Sequence, residues 1–158
     1  MSVFGAWGIV DSGMNVLVVN EPKKLISGKY IQTALRRITA HFLKKRVRNK
    51  KWLKSRKEIT VVFLSEAEMK KINFQYRKKN KSTDILSFAS GDPDSMGELL
   101  LCLPVLKRQA KEHGQSLEAE VFLMLTHGFL HLLGYDHELL SKEERLMERL
   151  QSGARTIF

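Results

Sequence analysis

The sequence has a single cysteine and lacks long apolar runs. Because Cys102 is the only cysteine among 158 residues, no disulfide can form within the chain, and a cytosolic location fits this composition. Cys102 lies in the apolar run 99–103, where a small residue is expected to be buried in the core. No apolar run approaches the roughly 20 residues that a membrane-spanning helix needs. These absences argue against a secreted disulfide-bonded domain and against an integral membrane protein.

The amino terminus also lacks the basic residues of a secretory signal. The first 13 residues are largely apolar, but no Lys or Arg precedes the apolar stretch. We therefore expect residues 1–13 to be a disordered or over-annotated N-terminal extension, with Met14 as the true initiator. The remaining residues, 14–158, have the length of one ordinary domain, and no repeat or low-complexity tract divides them.

The charge is distributed unevenly along the chain. Residues 1–81 contain 20 Lys and Arg against 5 Asp and Glu, a net charge of +15, whereas residues 82–158 contain 7 against 12, a net charge of −5. The densest basic segment, 44–57, has nine Lys and Arg around Trp52. A solvated basic face explains this segment as well as a nucleic-acid interface does, in which cations meet phosphates and the ring stacks on a base. A membrane surface is disfavoured, since the segment lacks a broad apolar face.

Hydrophobic periodicity and capping residues predict strands mixed with helices. Apolar and β-branched runs predict strands at residues 16–19, 59–64, 85–88 and 98–103. Helical periodicity and caps predict helices at residues 30–43, 65–76, 104–113, 116–133 and 141–151. The basic residues 46–57 are predicted to be a helix end and a connection. Four strands and about five helices in one domain predict an α+β (mixed α/β) fold with a mixed sheet.

Three of the five histidines fall within eleven residues. His127 and His131 are four positions apart on the longest predicted helix, so both imidazoles can reach one metal ion. Gly134 permits the left-handed conformation that ends a helix, and the chain can then turn back to bring His137 over the same face. Three imidazoles leave a fourth coordination position for water, as in catalytic zinc sites. The sequence therefore predicts one zinc ion per chain, although three imidazoles also suit nickel or copper.

The spacing of these residues matches a metalloprotease motif with one difference. The histidines and Gly134 have the offsets of H-E-x-x-H-x-x-G-x-x-H, but Gly128 occupies the position of the glutamate that acts as general base. A glutamate placed at Gly128 is predicted to introduce weak peptidase activity at most. Because zinc activates water for ester hydrolysis and the basic half of the chain attracts phosphates, the sequence favours a phosphodiester substrate.

Two segments resemble the markers of a known family. Residues 127–137 resemble the H-G-x-L-H-L-x-G-Y-D-H signature of the YbeY family, bacterial endoribonucleases implicated in ribosomal RNA maturation and ribosome quality control. Residues 77–88 are similar to the second marker of that family, an Arg followed by a T-D/N-V/I-L-S-F run. Gly97-Glu98-Leu99 stands where the family has Gly-Asp-Ile, which keeps the acidic charge. The resemblance extends from about Met14 to Gln151.

The resemblance implies a zinc-dependent endoribonuclease in the cytoplasm. It implies that His127, His131 and His137 bind the metal and that Arg77 acts in catalysis or in binding the RNA phosphate near the metal. An Arg side chain can hold a phosphate with two hydrogen bonds and offset the charge that develops on it. The expected partner is single-stranded RNA, from ribosomal RNA or ribosomal particles, and neither DNA nor a membrane. Residues 14–158 would then form one catalytic domain, with Thr83 and Asp84 bracing a loop.

Two other functions remain compatible with the sequence. One is an RNA-binding ribosome assembly factor whose metal is mainly structural. A structural zinc site normally has four protein ligands, and the sequence shows no convincing fourth near the three histidines. The other is a metal-dependent hydrolase of a peptide or a nucleotide. The peptidase version of this function is disfavoured, because Gly128 replaces the glutamate base.

Asp136, next to the predicted ligand His137, has two equal interpretations. It is either a residue that forms the turn or a group that orients an imidazole.

Overall fold

The computed structural model describes residues 12–22, 24–136 and 141–158. Its strands are Asn15–Val19 (β1), Glu58–Leu64 (β2), Ile85–Ala89 (β3) and Ser95–Cys102 (β4). Its helices are Gly28–Leu43 (α1), Lys50–Ser55 (α2), Glu66–Arg77 (α3), Leu103–Glu112 (α4), Leu117–Leu132 (α5) and Ser141–Ala154 (α6), followed by a 3-10 turn at Arg155–Ile157. Most of the predicted extension at residues 1–13 lies outside the described residues, and so does His137.

The four strands form one mixed sheet in the order β1-β2-β4-β3. β1 pairs with β2 and β2 with β4 in parallel, whereas β3 runs antiparallel to β4 and lies at an edge of the sheet. This arrangement confirms the predicted α+β fold with a mixed sheet. Across the described ranges, no helix is long and apolar enough to cross a membrane.

Serine caps begin three of the helices at the predicted positions. The Ser27 hydroxyl accepts a hydrogen bond from the backbone N–H of Tyr30 at 3.1 Å, and Ser116 caps α5 in the same way. Ser65 and Glu68 form a capping box, in which each side chain accepts a hydrogen bond from the backbone N–H of the other residue. These contacts satisfy N–H groups that have no partner within the helix, so short sequence signals are sufficient to locate the helix starts.

Both faces of the sheet are covered, and β4 shows the alternation most clearly. Leu99 and Leu101 belong to the large core formed with α1 and α5, whereas Leu100 and Cys102 pack with Met69 of α3. The continuous apolar run of this strand therefore reflects burial on two faces. Cys102 is fully buried as predicted, and this burial raises the pKa of its thiol.

Two predicted boundaries are wrong. Residues 46–57, predicted to be a helix end and a connection, contain the short helix α2. This helix is anchored by two apolar residues that lie among cations in the sequence: Trp52 packs against the core, and Leu53 is 1% exposed. The strand predicted at residues 98–103 begins earlier, at Ser95. Gly97 lies within this strand with a φ of 126°, and a Cβ there would lie 2.0 Å from the carbonyl oxygen of Phe88. Only glycine permits strands to pair this closely. The low strand propensity of glycine therefore led to a predicted start of the strand that is too late.

Candidate active site

Helix α5 carries the two central histidines among residues that are buried in the core. Leu125, Phe129 and Leu130 are fully buried, and the Phe129 ring stacks on Phe42 of α1 with ring centroids 5.8 Å apart. His127 and His131, by contrast, are half-buried and share one face. Because the residues around them are packed in the core, the backbone that carries these imidazoles is held firmly in place.

The imidazoles of His127 and His131 converge as the spacing predicted. Their Nε2 atoms are 3.1 Å apart, and the rings are nearly perpendicular, at 72°. Two nitrogens that bind one tetrahedral zinc ion at 2.0–2.1 Å lie roughly 3.3–3.4 Å apart. The pair therefore fits a metal ion after an adjustment of a few tenths of an ångström.

The third predicted ligand lies outside the described part of the chain. His137 is one of the residues that the structure does not describe, and no group of three His, Cys, Asp or Glu side chains suited to a metal occurs among the described residues. Asp136, its neighbour, lines the same cleft as the two histidines. The structure thus brings two of the three histidines together, and the role of His137 stays a prediction.

Gln151 orients the first of these histidines. Its side-chain oxygen lies 3.2 Å from Nδ1 of His127. An imidazole that binds a metal through Nε2 carries its proton on Nδ1, and the Gln151 oxygen is placed to accept a hydrogen bond from that proton. Gln151 belongs to α6, and no local sequence signal connects it with a residue 24 positions away.

The two histidines line a cleft of about 730 Å³ together with Arg77. Arg77 is the last residue of α3, and the polar residues that follow that helix carry the chain into the edge strand β3. Asp84 braces this wall, as expected: its carboxylate accepts hydrogen bonds from Thr83 and from Gln109 of α4, both at 3.1 Å. The fold thus brings a guanidinium and two imidazoles, about 50 residues apart in sequence, to one cavity.

Gly128 packs closely against strands β3 and β4 of the sheet. A Cβ at this position would lie 2.5 Å from Cδ1 of Ile85, 2.9 Å from Cδ2 of Leu99 and 3.0 Å from the hydroxyl oxygen of Ser87. The Ser87 hydroxyl also donates a hydrogen bond to the Gly128 carbonyl. Any side chain at Gly128 would therefore have to displace Ile85, Leu99 or Ser87. The effect of a glutamate at this position on peptidase activity stays a prediction.

Helix α5 ends at Leu132, and the chain turns at Gly134 as predicted. Gly134 has a φ of 90°, its N–H donates to the His131 carbonyl at 2.9 Å, and the N–H of Tyr135 donates to the Leu130 carbonyl at 3.1 Å. This pair of bonds is the Schellman motif, in which a glycine in the left-handed region reverses the chain. The chain direction after His131 is thus set by backbone hydrogen bonds.

Arg48 and Asn49 of the basic segment hold this helix end. The Asn49 side chain donates to the Leu133 carbonyl at 2.9 Å, and the Arg48 guanidinium donates to the Gly134 carbonyl at 2.6 Å. The backbone N–H of Arg48 donates to the Tyr135 hydroxyl, and its guanidinium lies 4.8 Å from the centre of that ring. The sequence predicted only a basic surface for this segment and did not indicate that it holds the end of α5.

An ion pair connects the same arginine to α6. Arg48 forms a two-contact ion pair with Glu143, and the hydrogen bonds between them raise the pKa of Arg48 and lower the pKa of the Glu143 carboxyl. The ring of Trp52 is also covered by protein groups. The Arg56 guanidinium lies 4.8 Å from the ring centre, and the ring packs against the core. Base stacking on Trp52, which the sequence suggested, is therefore disfavoured.

Replacing Arg48 with alanine is expected to destabilise the metal-free protein. The Gly134 carbonyl and Glu143 lose a charged partner, so we expect a melting temperature lower by roughly 2–4 °C, which corresponds to about 1 kcal/mol in a protein of this size. Arg46→Ala is the matched control, because Arg46 is exposed in the same segment. Thermal unfolding followed by circular dichroism tests this role, and equal melting temperatures for the two variants would contradict it.

Comparison with known proteins agrees with these observations. The family model described as Endoribonuclease YbeY matches residues 18–156. Endoribonuclease YbeY of Bdellovibrio bacteriovorus is 47% identical over 141 residues, which cover 89% of this chain and 93% of the relative. The Persephonella marina protein of the same name is 34% identical over 146 residues, covering 87% and 89%. The solution structure of a Thermotoga maritima protein is similar at 28% identity with a TM-score of 0.57, and the match covers 89% of this chain and 86% of that one.

Proposed function

Because the chain belongs to the YbeY family of endoribonucleases, we propose that it cuts RNA in the cleft that Arg77 lines together with His127 and His131. The observation that carries this proposal is the shared cavity of these three side chains. The family is one of metal-dependent enzymes that hydrolyse RNA. We further infer that His137 is the third ligand and that residues 14–158 are the catalytic domain.

Zinc is the metal that we propose for this site. The fit rests on two half-buried histidines whose Nε2 atoms are 3.1 Å apart and on the contact between His127 Nδ1 and Gln151, which suits an imidazole that binds metal through Nε2. Imidazole ligands suit zinc well, and nickel is the alternative that the same ligands accept. When bound, zinc would supply Lewis acidity for cleavage of a phosphodiester.

Arg77 would bind the phosphate that is cut. A guanidinium offers two parallel N–H donors, which match two phosphate oxygens and offset the negative charge that grows on them in the transition state. Its position in the histidine cleft supports this role. A peptide substrate is disfavoured, because Gly128 occupies the position of the peptidase base and supplies no carboxylate.

Ribosomal RNA, cut in the cytoplasm, is the substrate that we propose. The support is the family, whose relatives carry the name endoribonuclease, and the strongly basic first half of the chain. Exposed lysines such as Lys51 and Lys54 on α2 would meet RNA phosphates without reading sequence. An assembly factor that only binds RNA is the weaker candidate, because a binding role alone does not require Arg77 and two imidazoles in one cleft.

The purified protein supplied with zinc is expected to cut a fluorescent single-stranded RNA. A DNA strand of the same sequence and a peptide should stay intact, because the site is proposed to act on RNA and lacks a peptidase base. A chelator should stop cleavage, and added zinc should restore it. Gel electrophoresis of the products gives the rates. Proteolysis by the wild-type protein, or equal cutting of DNA and RNA, would contradict the proposed function.

A further inference from the structure

We propose that the surface formed by residues 70–81, the α3 strip, holds the RNA strand beside the cleft by stacking one base on Tyr76. The inference rests on the proposed function, because it assigns part of the substrate to a surface next to that site. The strip combines three properties that single-stranded RNA binding requires: positive charge, an open aromatic ring and continuity with the cleft.

The charge of the α3 strip has one sign. It contains no Asp or Glu, and all of its six cations are exposed: Lys70, Lys71, Arg77, Lys78, Lys79 and Lys81. The acids of α3 lie at the opposite end of the helix, where Glu66 pairs with Arg108 at 2.6 Å and Glu68 completes the capping box. Cations near the C-terminal end of a helix also interact favourably with the helix dipole. The dipole does not account for Lys79 and Lys81, which follow the helix.

Tyr76 offers an open ring in a fixed position. It is 61% exposed, so most of its side chain is accessible to a ligand. Its ring packs edge-on against Phe88 of β3, with centroids 4.9 Å apart and an interplanar angle of 63°. One edge of the ring is thereby held by the protein while most of its surface faces solvent. A fixed platform of this kind binds a base with a smaller loss of side-chain entropy than a mobile ring would.

The ring lies next to the cleft along both the helix and the strand. Tyr76 directly precedes Arg77, which lines the cleft. On β3, Leu86 also lines the cleft. Phe88 lies two residues further along on the same face of this strand, at a distance of roughly 7 Å from Leu86. A base stacked on Tyr76 would therefore belong to a nucleotide close to the phosphate that Arg77 binds.

The other basic segment does not offer the same combination. Trp52, its aromatic residue, is half-buried against the core and carries Arg56 over its ring at 4.8 Å. Residues 44–57 can therefore contribute charge, whereas the α3 strip contributes charge and stacking. Stacking is tolerant of sequence because every base has an aromatic face. The strip thus favours an unpaired strand, whose bases are accessible, over a duplex, whose bases are already stacked.

The test compares Tyr76 variants for binding of single-stranded RNA in the presence of a chelator, which prevents cleavage. Tyr76→Ala and Tyr76→Leu are expected to bind about tenfold more weakly, because both lose the stacking surface. Tyr76→Phe should bind within about twofold of the wild type, since the ring is kept. Phe158→Ala is the matched control, because Phe158 is a comparably exposed aromatic residue, at 57%. Circular dichroism melting shows whether each variant is folded.

A second RNA probe separates stacking from a loss of structure. An oligonucleotide that lacks bases is expected to bind Tyr76→Ala and the wild type equally, while the complete oligonucleotide distinguishes them. Equal binding of the complete RNA to folded Tyr76→Ala, Tyr76→Leu and the wild type would overturn the inference and leave the surface to another partner, such as a protein. A wild-type protein that neither binds nor cuts RNA would instead overturn the proposed function.

Discussion

His131→Ala is expected to lower bound zinc from about one ion per chain to a small fraction and to stop RNA cleavage. The Nε2 atom of His131 lies 3.1 Å from that of His127, so its removal leaves a site without half of its structurally observed donors. Loss of a group that only orients a ligand weakens metal binding 10–100-fold, and we expect loss of a ligand to cost more than about a hundredfold. Elemental analysis after dialysis against buffered zinc measures the occupancy.

Two further variants make this test specific. His41→Ala is the matched control, because His41 lies on α1, packs edge-on against Phe42 and is not among the cleft residues. His137→Ala should lose zinc as His131→Ala does, which makes it the direct test of the predicted third ligand. Full zinc occupancy in His131→Ala would refute the site, and full occupancy in His137→Ala alone would remove that residue from it.

Arg77→Ala is expected to depress turnover at saturating RNA by about a hundredfold or more. Arg77 shares the cleft with His127 and His131, where its guanidinium would offset charge on the phosphate in the transition state. Loss of one such contact is worth roughly 2–4 kcal/mol. Zinc content and most of the RNA affinity should stay unchanged, because other cations supply the binding. Single-turnover cleavage, measured beside binding over a salt series, gives both quantities.

The control for Arg77 is the triple change of Lys50, Lys51 and Lys54 to alanine. If these lysines only meet phosphates, their loss weakens binding across sequences and flattens its salt dependence, while saturated turnover survives. Arg77→Lys adds a second comparison, since it keeps the charge and loses the two-donor geometry. Wild-type turnover by Arg77→Ala at saturating RNA would place Arg77 with the lysines and remove it from catalysis.

Local signals in the sequence were sufficient to predict most helices and strands and the pairing of His127 with His131 in the site. Helix starts at Ser27, Ser65 and Ser116 follow from hydrogen bonds that reach only three residues along the chain. The convergence of His127 and His131 follows from the helix repeat alone. The turn at Gly134 likewise depends on backbone bonds within one helix end. Each of these features is determined by residues close together in the sequence, so the sequence alone was enough to predict it.

Tertiary structure decided what comes from distant parts of the chain. Arg77 lines the same cleft as the histidines because α3 ends beside the edge strand β3, which packs against α5. Arg48 holds Gly134 from 86 residues away, and Gln151 reaches His127 from α6. The crowding around Gly128 was also invisible in the sequence, because the side chains that approach it belong to two distant strands, β3 and β4. Such contacts depend on how whole elements pack, and no short spacing along one sequence encodes the packing partner.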